Sequence, residues 1–183
     1  MNNWREQLNR LAVEFWCGVG DLSELSAWAD TANAEMGEVH PDVWDIYASP
    51  KAEQANRLLL KIAKEVNGFS PESFSAKPFA INALKKALTL FLSKELSVQE
   101  LCKLVDSLDT VFVIGLPMEV EIYDQPPITS LSPDLPWLGN LWNCCDWCDD
   151  GWTFENSQAL VAEAQRVLAM LANEQATVLE VKN

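Results

Sequence analysis

The sequence predicts a mainly α protein, a helical bundle of about six to seven helices, and three observations carry that expectation. Apolar residues recur at three- and four-residue spacing along most of the chain. Helix punctuation brackets those stretches, with capping residues ahead of them and glycines behind. Strand-like alternation is confined to two candidate short β segments, near 111–123 and 176–181. With 183 residues, 49% of them hydrophobic, the chain can bury a sizeable core as a single domain, 1–183.

Asn3 opens the first helix, with Glu6 placed to complete a capping box. Trp4, Leu8, Leu11, Ala12, Phe15 and Trp16 form its apolar face, and Gly18 and Gly20 end it. Asp21 starts the second helix, again with an acid, Glu24, three residues on. Leu22, Leu25, Ala29, Ala32 and Met36 make its stripe, so 3–36 reads as a helical hairpin. The Gly-x-Gly at 18–20 follows a helix rather than a strand and reads as a turn, not a phosphate loop. His40-Pro41 begins a short helical or turn segment through Trp44, Ile46 and Tyr47. Ser49-Pro50 suits the start of a linking helix, 50–66, with Pro at the first helical position. Ala55, Leu58, Leu59, Ile62 and Val66 form its buried face and Gly68 closes it. Its outer Lys51, Arg57, Lys61 and Lys64 are placed to pair with acidic helices of the same chain.

A Ser/Pro-rich connection leads to a second hairpin, 78–112, with Ile81, Leu84, Leu88 and Phe91 inward. Ser97 and Glu100 form a capping box ahead of Val98, Leu101, Val105, Leu108 and Phe112. This hairpin echoes the first at an offset of 76: Leu8, Phe15 and Leu25 fall on Leu84, Phe91 and Leu101. A Pro-rich acidic excursion, 115–136, then separates the fifth helix from the last. The C-terminal helix, 154–173, is capped by Asn156 or Thr153 and buries Leu160, Val161, Ala164, Val167, Leu168 and Leu171.

The most unusual stretch is 137–152. Trp137, Trp142, Trp147 and Trp152 fall five residues apart, interleaved with Cys144, Cys145, Cys148, Asp146, Asp149 and Asp150. Indoles favour burial, whereas an unpaired carboxylate is costly to bury. The segment therefore predicts an aromatic anchor that presents an acidic rim. Cys145-x-x-Cys148 beside Cys144 is half of a thiolate zinc pattern without a second pair, so zinc binding through Cys144, Cys145 and Cys148 is a remote alternative and no cofactor is assigned. Cys17 and Cys102 lie on apolar helix positions and read as small core residues. No Gly-x-Ser-x-Gly, Walker loop or His-Glu-x-x-His occurs, and the single histidine, His40, leaves little acid–base capacity near neutral pH. The reading is of a protein that is not an enzyme.

Charge is unevenly distributed along a chain of net charge −14. From Leu11 to Pro50 there are eight acids and no Lys or Arg, and from Leu104 to Gln165 eleven acids with no Lys, Arg or His. Such a field disfavours nucleic acid and anionic membrane and favours a basic protein partner. No apolar run approaches the ~18 residues of a membrane span. The N-terminal stretch has no secretory pattern, so the cytoplasm is the expected location, with the five cysteines reduced.

In size, acidity and helical character the chain resembles the small helical bacterial immunity proteins. Phe91-Leu92 followed by Ser97-Val-Gln-Glu-Leu101 looks like the helix–turn–helix opening of immunity proteins in colicin-type systems. The likeness covers two helices, and the Trp/Cys segment has no counterpart in it. It implies a non-catalytic inhibitor that occludes the active site of a cognate toxin. The residues expected to face such a partner are Glu119, Glu121, Asp124, Asp134, Asp146, Trp147, Asp149 and Asp150. An adaptor module, or a homodimer that buries exposed Trp, would use the same surfaces.

Overall fold

Helical periodicity in the sequence becomes helix throughout the described residues of the computed structural model, which are 3–48, 51–112 and 138–180. Eight α-helices and one 3₁₀ turn, Phe74–Ala76, occur there, with no strand among the described residues. The protein is mainly α. Contacts divide the chain into two compact units, Met1–Ala83 and Leu84–Asn183.

The first unit contains α1 (Asn3–Trp16), α2 (Leu22–Glu35), α3 (Pro41–Tyr47) and α4 (Ala52–Asn67), and ends within α5 (Lys77–Leu92). α1 packs on α2 and α4, and α3 packs on the same two helices, which closes a four-helix ring. Leu8, Leu11, Leu25, Leu59 and Ile62 fill it, each at most 1% exposed. Trp28 donates from Nε1 to the Trp4 carbonyl at 2.9 Å, so one buried indole satisfies its polar atom across the hairpin. Arg10 reaches Glu14 at 2.6 Å and Glu24 at 2.8 Å. Glu14 is only 4% exposed, and a carboxylate that deep needs such a partner. Gly20 is required by packing, because a Cβ there would lie 2.2 Å from the Phe15 ring.

The second unit takes the rest of α5 and adds α6 (Val98–Phe112), α7 (Leu138–Cys145) and α8 (Gln158–Glu180). α7 packs on α6 and on α8. Phe91 meets Phe154 at a centroid distance of 5.2 Å, and Leu88, Leu101, Leu108, Leu141, Leu160 and Val167 are fully buried.

The two units follow one plan. α1 and α5 end 76 residues apart, at Trp16 and Leu92, and α2 and α6 begin 76 apart, at Leu22 and Val98. The turns between them share backbone bonds: Val19 N–H donates to Glu14 O as Glu95 N–H donates to Leu90 O. Gly18 N–H likewise donates to Phe15 O as Lys94 N–H does to Phe91 O. Each turn needs one left-handed residue, and Gly18 (φ 77°) and Lys94 (φ 64°) supply it at matching positions. The match continues past the hairpins once the offset changes. Asp42-Val43-Trp44-Asp45 of α3 falls on Asn140-Leu141-Trp142-Asn143 of α7 at an offset of 98, with Val43 and Leu141 both buried. Ala55, Leu59 and Ile62 of α4 fall on Leu160, Ala164 and Val167 of α8 at an offset of 105, all six buried. Growth of the offset from 76 to 98 and then to 105 places 22 extra residues before α7 and seven after it. Both additions belong to the second unit.

Several boundaries differ from the sequence expectation. Asp21 caps α2 through Ser23 N–H as expected, but Glu24 is drawn to Arg10 instead of closing a capping box. Ser97 and Glu100 do form the reciprocal box, with Ser97 N–H on Glu100 at 2.8 Å and Glu100 N–H on Ser97 Oγ at 3.2 Å. α4 starts at Ala52 with Lys51 in the cap position, one turn-half later than Pro50 suggests. α8 starts at Gln158, because Asn156 and Thr153 bond each other (2.7 Å) in the turn ahead of it. The candidate β segment at 176–181 is helix through Glu180, since no Gly or Pro interrupts the helix-forming run from Gln158. At 111–123 the first two residues continue α6, and 113–123 lie outside the described residues.

Replacing Arg10 by Ala should destabilise the first unit by about 2 kcal/mol, the cost of removing a charged hydrogen-bond partner from a buried carboxylate. Urea denaturation of the variant checks this. Adding Glu14→Gln in the same chain should recover part of the loss.

Candidate functional site

The site is built from α7 and the turn that follows it, the place where the second unit carries its seven extra residues. An eight-residue helix is too short to be stable alone, so α7 is held by what it buries. Leu141 is fully buried and Cys145 is 8% exposed, which turns Trp142 half inward and leaves the next residues outside. Asp146 N–H donates to Trp142 O and Cys148 N–H to Cys145 O, both at 2.9 Å, so the helix end tightens into a turn.

A polar frame fixes the rest of the turn. Asp149 accepts Gly151 N–H on Oδ1 at 2.7 Å, and Trp152 N–H donates to Asp149 O at 3.1 Å. The Gln99 amide of α6 donates to Asp149 O at 2.8 Å and to Trp152 O at 2.9 Å. Asn156 donates from Nδ2 to Gly151 O at 2.9 Å. Within this frame Trp147 is 78% exposed, the most exposed of the large hydrophobic residues among the described ones, and Asp146, Asp149 and Asp150 are exposed around it. None of those three carboxylates has an ion pair among the described residues. Beside the turn lies a cavity of about 320 Å³, whose wall includes Cys102, Lys103 and Asp106 of α6 together with Cys145, Cys148 and the three aspartates.

The structure thus brings together Asp146, Trp147, Asp149 and Asp150 of the residues singled out in the sequence. Glu119, Glu121, Asp124 and Asp134, with Trp137, lie outside the described residues. The tryptophans divide: Trp142 and Trp152 are half-buried anchors, and Trp147 is presented. The cysteines also divide. Cys144 is half-buried, while Cys145 and Cys148 gather with Cys102, which sequence reading had placed only in the core. Burial pushes the Cys148 thiol up to about 11, helped by the neighbouring Cys102 thiol and by Asp149 and Asp150. No group of three His, Cys, Asp or Glu side chains is arranged to hold a metal ion among the described residues.

Other candidates in the sequence have structural uses. His40 caps α3, accepting Asp42 N–H on Nδ1 at 3.2 Å, and its Nε2 bonds Glu65 at 2.7 Å. Lys61 of the basic α4 face pairs with Asp42 at 2.7 Å. Sequence reading missed a second exposed aromatic group: Trp44 (57% exposed) and Tyr47 (37%), with ring centroids 5.9 Å apart on α3. The signal was their i, i+3 spacing, which puts them together on a face beside that of buried Val43 and Ile46. No family model, curated protein or solved structure matches the chain. Among the described residues, no helix is long and apolar enough to cross a membrane.

Replacing Gln99 by Ala should leave the helices intact and loosen the turn, at a cost of about 1–2 kcal/mol for the two hydrogen bonds lost. Amide hydrogen exchange over 146–153 should accelerate while α1 to α4 stay unchanged.

Proposed function

We propose that this chain is a non-catalytic inhibitor of a basic protein partner, acting in the manner of an immunity protein that occludes a toxin's active site. The observation that carries this reading is the presentation of Trp147 at 78% exposure among three exposed carboxylates that have no ion pair among the described residues. An exposed indole costs solvation unless something covers it, and Trp is enriched among residues that anchor interfaces. Unpaired carboxylates around it steer a cationic surface and set its orientation. In the partner complex Trp147 would be the desolvated centre, with Asp146, Asp149 and Asp150 as its rim. Glu119, Glu121, Asp124 and Asp134 extend the same acidic stretch of sequence and belong to the proposed surface through their charge.

The wider properties follow from this reading: a cytoplasmic location, no nucleic-acid or membrane ligand, and no cofactor. A second reading, an adaptor or self-associating module, is favoured by the Trp44–Tyr47 pair, where an apolar patch is exposed on the first unit. Binding there would tolerate salt, because apolar contact is not screened.

The test is capture of basic proteins from lysate of the source cell on the immobilised chain, at low salt and at about 1 M salt, where the Debye length falls to ~3 Å. The proposal expects one basic partner, released by salt. Trp147→Ala should then weaken its binding roughly 30-fold, the ~2 kcal/mol typical of an interface anchor. Asp149→Lys with Asp150→Lys should weaken it further without changing the far-ultraviolet circular dichroism. Unchanged affinity in both variants would place the interface elsewhere.

A further inference from the structure

We infer that Cys102 and Cys148 form a dithiol–disulfide site, closed by exchange with a low-molecular-weight disulfide, that locks α6 to the turn bearing Trp147. This inference stands apart from the binding proposal and concerns a covalent site on the same unit. Three observations support it. Cys102, Cys145 and Cys148 line one cavity open to solvent. The Cys102 thiol shares that cavity wall with both others and couples electrostatically to each, to Cys145 most strongly, whereas Cys148 couples to Cys102. Access separates their roles: Cys102 and Cys145 are each 8% exposed, and Cys148 is more open.

Those differences set the order of events. Cys148 loses its proton and its thiolate attacks one sulfur of the external disulfide, giving a mixed disulfide and one released thiol. Cys102 then gives up its proton, attacks the Cys148 sulfur and expels the second external thiol. Two protein thiols and one small disulfide become one protein disulfide and two small thiols, and two electrons pass to the external disulfide. The thiolate is the nucleophile, so the groups facing Cys148 govern the first step, and Cys145 together with burial holds the proton of Cys102 on for the second. Burial, Cys102, Asp149 and Asp150 all hold its proton on, and Asp106 and Asp146 line the same cavity, with Lys103 the single cation among the described residues there. The site is therefore slow at neutral pH and accelerates as pH rises. A thiol at about 11 gives close to a tenfold faster first step per pH unit between 7 and 10.

The experiment treats the intact chain with oxidised glutathione, blocks remaining thiols, and maps linkages by peptide mass spectrometry. The expected product is a Cys102–Cys148 disulfide, retained in Cys145→Ser and lost in Cys148→Ser. Asp149→Asn with Asp150→Asn should raise the initial rate at pH 7 several-fold, a change that a misfolded variant would not produce selectively at Cys148. Circular dichroism confirms that each variant is folded. Glutathione adducts that never resolve internally would overturn the inference. So would a Cys145–Cys148 or Cys102–Cys145 linkage in the unmodified chain.

Discussion

A seven- or eight-residue helix cannot hold its shape in water, and each unit of this protein depends on one. α3 and α7 persist because their neighbours bury one face of each: Val43 and Ile46 in the first, Leu141 and Cys145 in the second. Burial of one face dictates exposure of the other. In the first unit the exposed face carries Trp44 and Tyr47, and in the second the chain leaves α7 directly into the turn that presents Trp147. The aromatic surface is thus a by-product of how a short helix is stabilised, taken up where extra residues could be added without disturbing the core.

α8 is longer than α4, at 23 residues against 16, and two additions that flank α7 also set the second unit apart from the first. One contributes the stretch that contains Glu119, Glu121, Asp124 and Asp134, and the other contributes Asp149 and Asp150 in a turn that Gln99 braces through the Asp149 and Trp152 carbonyls. Elsewhere the two plans agree down to the left-handed residue of the first turn. Lys94 accepts that strained conformation where Gly18 does not have to, and it is steadied by a 2.8 Å ion pair with Glu155 and by the Phe154 ring, 4.8 Å away. The shared plan accounts for the fold, and the additions account for the charge and the exposed indole.

Most of the architecture was legible in the sequence because it rests on local signals. The Ser97–Glu100 box, the Gly68 stop and the apolar stripes of α1, α4 and α6 each fix an element by themselves. The repeat was legible only across the hairpins, because the additions around α7 shift the register and hide the match of Val43-Trp44 with Leu141-Trp142. Non-local pairings escaped for a different reason. Glu24 has a good local use in a capping box, and only the packed hairpin brings Arg10 close enough to take it. Cys102 sits on a core stripe and carries no sign that Cys145 and Cys148 will meet it from another helix. At the site, the aspartates and Trp147 were readable from composition, whereas the division between anchoring and presented tryptophans needed the turn itself.

The turn after α7 is proposed to hold the basic partner, and amide hydrogen exchange on the captured complex measures this most directly. Protection concentrated over 141–153, with Trp147 at its centre, is the predicted result. Protection around Trp44 and Tyr47 with none over 141–153 would contradict it, and would make the first unit the binding face.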